Sequence, residues 1–413
     1  MLSTFDLAYG RETVPFTCTA PPEILRVSDP APVVDAPEFR RRVRAFLDAA
    51  RLDLKRSAVV VADKTRLCGY PRYLPVLLEE LIRKGAPDDG LTLFVAYGTH
   101  GRQSEAESRS AYGEAYERFR WVHHGCEDRA LFVEMGHTGR GTPVRLRADI
   151  VEASCLITFG AISHHYFAGF GGGRKLVFPG LGERAAIYAN HGLFLDRARR
   201  TLSAGCRPGQ VAGNPLAEDL AEVERFKPAD MAVHAILDSH GRVCDLTAGR
   251  GQAHFEAACQ QHASHCEAGG GPFAQVIASC GGTPKDINFI QSHKAVHNAA
   301  AFVADGGRLI VLARCPDGIG SATFLPWFGL GGFQPAFERL AQGYVGNGGT
   351  ALAMMEKTRR IRIALATDLD EAAVRAMGCE KISMDQARQE VAAGGPWAVI
   401  PNASLLVRKQ GDA

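Results

Sequence analysis

The sequence predicts an α/β protein of two domains, each with a mainly parallel sheet flanked by helices. Three observations predict it. The chain has 413 residues, more than one ordinary hydrophobic core accommodates. Short apolar runs alternate with segments of helical spacing, the pattern of parallel strands joined by crossover helices. The alternation stops at the glycine-rich stretch "CEAGGGPF" (266–273) and then restarts, which divides the chain into 1–268 and 269–413.

The elements follow in order. "SAVVVAD" (57–63) is an apolar run closed by a carboxylate, as expected of a strand covered on both faces. "RYLPVLLEELIRKGAP" (72–87) carries its apolar residues at helical spacing and stops at Gly85 and Pro87. "LTLFVAYGTH" (91–100), "SCLITFGAI" (154–162) and "MAVHAILD" (231–238) complete the strands of the first domain. In the second, "AQVIASCGG" (274–282) is a strand, a helix runs from about 286 to 304, and further strands lie in "GGRLIVLARCPDGIG" (306–320), "RIRIALATD" (360–368) and "WAVIPNASLLV" (397–407).

Composition excludes several classes of function. The chain is 46% apolar and 22% charged with a net charge of +2, and its cations are scattered. That gives no basic stripe and no nucleic-acid partner. Eleven cysteines, with no C-x-x-C pair, argue against a disulfide framework or a zinc ribbon and for a reducing, cytoplasmic setting. The start, "MLSTFDLAYGRETVPF", lacks a basic segment followed by an apolar one, so no signal peptide is expected. No apolar run reaches the roughly 20 residues needed to span a bilayer, so no membrane partner is expected.

Ligands of open α/β sheets bind beyond the carboxyl ends of strands, and four such positions carry unusual residues. They are Asp63 and Arg66 in "DKTR", His100 in "GTH", His164, His165 and Lys175 in "SHHYFAGFGGGRK", and Gln291, His293 and Lys294 in "QSHK". Each also has a structural explanation. Asp63 and Arg66 suit a turn with a surface ion pair, His100 suits packing, and tandem histidines point to opposite sides, so one of His164 and His165 packs. Gln291 and Lys294, one helical turn apart, suit a solvated face. The glycine loop matches neither phosphate motif. Leu176 stands where a P-loop needs Ser or Thr, and Arg174 where a dinucleotide fingerprint needs its third glycine. Gly171, Gly172 and Gly173 still permit positive φ and close backbone approach, with Arg174 as a charge partner for a phosphate. No H-E-x-x-H is present, yet dispersed histidines can assemble zinc sites. A hydrolase using His100, His165 and His191 stays open, as does a non-catalytic phosphometabolite-binding protein.

The same residues resemble the nickel-pincer lactate racemases. The resemblance rests on "DKTR" (63–66), "GTH" ending at His100, "HHYFAGFGGGRK" (164–175), "NH" (190–191) and "QSHK" (291–294). It implies a 2-hydroxy-acid racemase or epimerase with its site in the interdomain cleft. It also implies a pyridinium-3-thioamide-5-thiocarboxylic acid mononucleotide, covalent at Lys175, that binds nickel together with His191. His100 and His165 correspond to the acid/base pair, Arg66 and Lys294 to substrate-anchoring cations, and Asp63 and Gln291 to their polar support. Gly171, Gly172, Gly173 and Arg174 correspond to the phosphate loop. Partners implied are a small 2-hydroxy acid and cofactor-maturation enzymes. The family's aromatic residue from the second domain has three candidates here, Phe324, Trp327 and Phe328.

Overall fold

The computed structural model describes residues 2–409. These form two compact units, both discontinuous in sequence: residues 29–193 with 203–264, and residues 2–28 with 194–202 and 265–409. The single cut expected at 268/269 is therefore too simple, and residues 2–28 belong with the C-terminal unit rather than the N-terminal one.

The first unit is built on a six-stranded sheet. Its order is Val243–Gly249, Met231–Leu237, Cys155–Ala161, Ser57–Ala62, Leu91–Ala96, Arg120–His123. Every pairing is parallel except that of the edge strand Val243–Gly249, which runs antiparallel to Met231–Leu237. All six residues of Ser57–Ala62 are buried, which explains its unbroken apolar run. Helix Ala36–Ala49 covers the sheet with Phe39, Val43 and Leu47, spaced four apart on one face, and Asp35 caps it by accepting from Glu38 N at 2.8 Å. Its partner Tyr70–Arg83 is fastened to it through Glu80, whose buried carboxylate meets Arg40, Arg44 and Arg83.

The second unit has a six-stranded, all-parallel sheet. Its order is Glu380–Ile382, Arg362–Ala366, Val303–Leu312, Phe273–Ser279, Ala398–Ile400, Glu23–Ile24. The run read as one strand over 397–407 is a three-residue strand, a turn, and a separate two-residue strand Val407–Arg408. The N-terminal hairpin, Ser3–Tyr9 with Glu12–Cys18, lays Phe5, Leu7, Val14 and Phe16 onto the core that holds Ile277, Ile310, Trp397 and Val399. This explains why residues 2–28 join a unit whose remaining sequence begins more than 160 residues later. All eleven cysteines are buried. Among the described residues no helix is long and apolar enough to cross a membrane.

Candidate active site

Asp63 and His100 follow the ends of strands of the first unit, whereas Lys175 lies in a turn and His191 ends a helix. Ala62 closes its strand under two tyrosines: its N–H donates to Tyr70 Oη at 2.8 Å, and its carbonyl accepts from Tyr112 Oη at 2.9 Å. The next residue, Asp63, caps the turn Lys64–Arg66. Its Oδ1 accepts from the N–H and hydroxyl of Thr65 at 2.8 and 2.6 Å, and its Oδ2 lies 2.7 Å from His100 Nδ1. Burial alone would raise the Asp63 carboxyl. The bonds and charge of His100, with those of Thr65, outweigh it and hold the group at about 2. Asp63 is thus a carboxylate bonded to His100 Nδ1–H, which leaves His100 Nε2 with its lone pair. Arg66 forms no side-chain bond to Asp63; the two share a backbone bond, and Arg66 is exposed.

His164 and His165 separate as alternation requires. The His164 ring packs 4.9 Å from both Phe170 and His262. His165 turns the other way, and its Nδ1 accepts the N–H groups of Phe167 and Ala168 at 3.2 and 3.0 Å. A ring nitrogen that accepts two N–H groups carries no proton, so the hydrogen of the neutral ring sits on Nε2.

The glycine run is held close to the sheet. A Cβ on Gly172, where φ is +82°, would lie 2.2 Å from the Ala161 carbonyl oxygen, and one on Gly173 would lie 2.7 Å from Phe255. These glycines are demanded by the packing of the loop itself, so the sequence signal attributed to a ligand's approach has a second cause. The turn that follows, Gly173–Leu176, buries Arg174 and Lys175. Burial, then the positive charges of Arg66 and Arg174, push Lys175 down to about 7, so a large fraction of the amine is neutral and nucleophilic near neutral pH.

His191 ends helix Arg184–His191. Its predecessor Asn190 is buried and donates to Asp219 Oδ2 at 2.8 Å, and Asp219 in turn accepts from Thr138 Oγ1 at 2.5 Å, which fixes the end of the helix. Burial, then Lys175 and His100 nearby, push His191 down to about 3, so it is a neutral imidazole. These mutual effects bring Arg66, Arg174, Lys175, His191 and His100 within one electrostatic neighbourhood. Among the described residues no group of three or more His, Cys, Asp or Glu side chains is arranged to hold a metal ion. The zinc reading of His100, His165 and His191 therefore has no three-ligand centre to rest on.

In the second unit, helix Phe289–Ala300 carries Gln291 and Lys294, and Lys294 Nζ donates to Gln291 Oε1 at 2.8 Å. Of the three aromatic candidates, Phe324 is core, packed on Phe289 at 5.6 Å, and Trp327 is buried; Phe328 is half-buried. Sequence reasoning missed Gln103. Its Oε1 accepts Lys64 N at 2.9 Å and its Nε2 donates to Ser108 at 3.0 Å, so it ties the loop of His100 to the loop of Asp63. Nothing in its spacing marks it.

Fold and side chains together define an α/β protein whose candidate residues are a buried lysine amine and histidines set among the ends of its strands and helices. Comparisons with known proteins agree with this. Residues 33–203 match the lactate racemase N-terminal domain and residues 272–330 the lactate racemase C-terminal domain. Two curated relatives are lactate racemases: one from Thermoanaerobacterium thermosaccharolyticum, 29% identical over 66% of this chain, and one from Lactiplantibacillus plantarum, 30% identical over 64%. These alignments span 63% and 62% of the relatives' own lengths. The fold is shared with the lactate racemase apoprotein of T. thermosaccharolyticum (TM-score 0.86, 22% identity, 99% of this chain and 100% of that one). It is shared also with a protein from Thermotoga maritima (TM-score 0.69, 14% identity, 92% and 99%). The chain belongs to the lactate racemase family.

Proposed function

We propose that this protein is an isomerase that inverts C2 of a lactate-like 2-hydroxy acid, using nickel held by a pyridinium mononucleotide tethered to Lys175. The observation that carries the reading is the state of three residues in one unit: an amine near 7 at Lys175, a neutral imidazole at His191, and a carboxylate-supported imidazole at His100. They fit such a group: the amine suits acylation, and one imidazole suffices for a metal whose other ligands come from an organic molecule.

The chemistry has a physical logic. The C2–H of a 2-hydroxy acid is a poor acid, so inversion through a carbanion is costly. Held by Lys175 and His191, the cofactor would supply reversible hydride-acceptor chemistry at C2, with a planar 2-oxo acid between the two enantiomers. The protein handles the hydroxyl proton. His100 Nε2 accepts it, and Asp63 stabilises the imidazolium that forms. His165, with its proton on Nε2, donates to the substrate oxygen from the other side. Arg66 anchors the carboxylate through charge-assisted bonds; Gln291 and Lys294 are further substrate-binding residues that the family resemblance implies. Arg174 and the Gly171–Gly173 loop take the cofactor phosphate. Cofactor-building enzymes are implied as partners.

The test is racemisation of D- and L-lactate and of larger 2-hydroxy acids by protein matured with nickel, beside His100→Ala, His165→Ala and His191→Ala. The reading expects the first two variants to keep nickel and lose turnover, and the third to lose both. Unchanged nickel content in His191→Ala would overturn the ligand assignment.

A further inference from the structure

The loop that carries His100 is tied down by a chain of side chains that the proposed chemistry does not use. Tyr97, buried directly after strand Leu91–Ala96, touches that loop twice. Its carbonyl accepts His100 N–H at 3.0 Å, and its Oη accepts Gln103 N–H at 3.3 Å. The same Oη lies 2.8 Å from His123 Nδ1. His123 ends the edge strand Arg120–His123, in register with Val95. Its Nε2 lies 3.1 Å from Tyr116 Oη, and the Tyr116 hydroxyl donates to Glu105 Oε2 at 2.8 Å.

Donor and acceptor roles follow from the end of the chain. The Tyr116 hydrogen is used on Glu105, so Tyr116 Oη accepts from His123 Nε2–H. The neutral ring then keeps its lone pair on Nδ1, which accepts the Tyr97 hydroxyl hydrogen. That leaves the lone pairs of Tyr97 Oη for Gln103 N–H. Burial, then the positive charge of Arg102, lower His123, and Glu105 opposes them, so the ring is neutral near neutral pH. Burial raises Tyr97 to about 12, so its hydroxyl keeps its hydrogen. Tyr97, Arg102, Glu105 and Tyr116 are the charged and titratable groups that act on this ring, from the strand end, the loop and the two helices Glu105–Tyr112 and Glu114–Arg118. A protonated His123 has hydrogen on both nitrogens and accepts nothing from Tyr97. The hydroxyl must then turn, and the buried Gln103 N–H loses a well-directed acceptor.

We propose that Tyr97 and His123 are positioning residues for His100: the Tyr97 hydroxyl, held by His123, fixes the loop 97–103 and with it the place from which His100 takes the hydroxyl proton. This rests on the reading of His100 as the base, and adds to it the side chains that hold the base's loop. A misplacement of about 1 Å costs on the order of 100-fold in rate, so a bond at the foot of the loop is felt at the imidazole.

Tyr97→Phe keeps the ring and removes the bond. In full-length protein matured with nickel it is expected to lower kcat for lactate racemisation at least about tenfold, with KM within about twofold. His123→Leu should do the same. His123→Asn, whose carbonyl oxygen is an acceptor close to the place of Nδ1, should recover most of that loss. NMR of the full-length, cofactor-free protein reads the loop itself: protection of the Gln103 amide against hydrogen exchange should fall at least about tenfold in Tyr97→Phe. If a variant fails to fold, the unaltered protein carries the test, because Gln103 protection should fall with pH in step with the His123 ring signals. Gln103 protection that ignores both Tyr97→Phe and the titration of His123 overturns the proposal. So does an unchanged kcat in Tyr97→Phe, or a His123→Asn variant no better than His123→Leu. Should protection follow His123 while the matured, unaltered protein racemises no 2-hydroxy acid, the loop anchor stands and the reading of the reaction falls.

Discussion

At Asp63 two opposing effects meet, and the hydrogen bonds win. Because its folded value, about 2, lies below the ordinary 3.8, its pairing with His100 stabilises the fold above about pH 4. That contribution is lost as pH falls through about 2. Asp63→Asn keeps the shape and removes the charge that supports a protonated His100. We expect kcat to fall at least about tenfold with KM nearly unchanged, measured as racemisation at neutral pH; a loss confined to KM would contradict the role. Both residues were legible in the sequence as polar ends of apolar strands. Their pairing was not, because they lie 37 positions apart and only the parallel register of two strands joins them. The tandem histidines were half legible: alternation said that one packs, but not that His165 would be held by two backbone amides. Gly172 gives a second prediction at this scale. With φ +82° and a carbonyl 2.2 Å from any Cβ, Gly172→Ala should cost about 2–4 kcal/mol, while Gly192→Ala, which meets nothing within 4 Å, should change stability little. Chemical denaturation distinguishes them.

Among the elements, the strands of the first unit were the most legible, because a strand covered on both faces has to be a continuous apolar run. Ser57–Ala62 and Leu91–Ala96 begin at the residues expected. The edges were less so. An apolar stretch such as 397–407 does not reveal that a turn at 401–405 splits it. The N-terminal hairpin was not read from the sequence, and its residues were placed with the first domain for a similar reason. Alternating Phe5 and Leu7 announce one buried face, but not which core that face covers. Phe16, 1% exposed in that core, should cost about 3–5 kcal/mol when changed to Ala, read by denaturant unfolding of the C-terminal unit's signals; a change under 1 kcal/mol would mean that the hairpin is dispensable. Glu80 makes the corresponding case for two helices. Hydrogen bonds from Arg44 lead, opposed by burial and joined by Arg83 and Arg40, and hold its carboxyl at about 2 against an ordinary 4.5. Its contribution is present above about pH 4.5 and disappears as pH falls through about 2. The arginines are a third to a half exposed, so solvent screens part of the attraction. Glu80→Gln should then cost about 1–3 kcal/mol at neutral pH, and the variant's deficit should shrink on acidification below pH 4.

For the whole molecule, two α/β units were legible from the restart of the strand–helix pattern, whereas the discontinuity of the units was not. The short segment 194–202 joins the C-terminal unit through contacts such as Phe194 with Tyr344, 6.1 Å between ring centroids, and no composition shift announces it. The proposed activity makes a prediction at this scale. If C2 exchanges hydride with a bound cofactor and only the hydroxyl proton visits His100 or His165, the deuterium of 2-deuterated lactate should be largely retained in the inverted product formed in ordinary water. Early and complete loss would show that the histidines handle the C–H itself. The claim beneath all of this is that Lys175, buried and held near 7, is the cofactor's tether. Peptide mapping by mass spectrometry of active, nickel-matured protein tests it most directly. The account predicts a nucleotide-sized mass increase on the peptide that contains Lys175 and its absence in Lys175→Arg, whereas an unmodified Lys175 in fully active protein would contradict it.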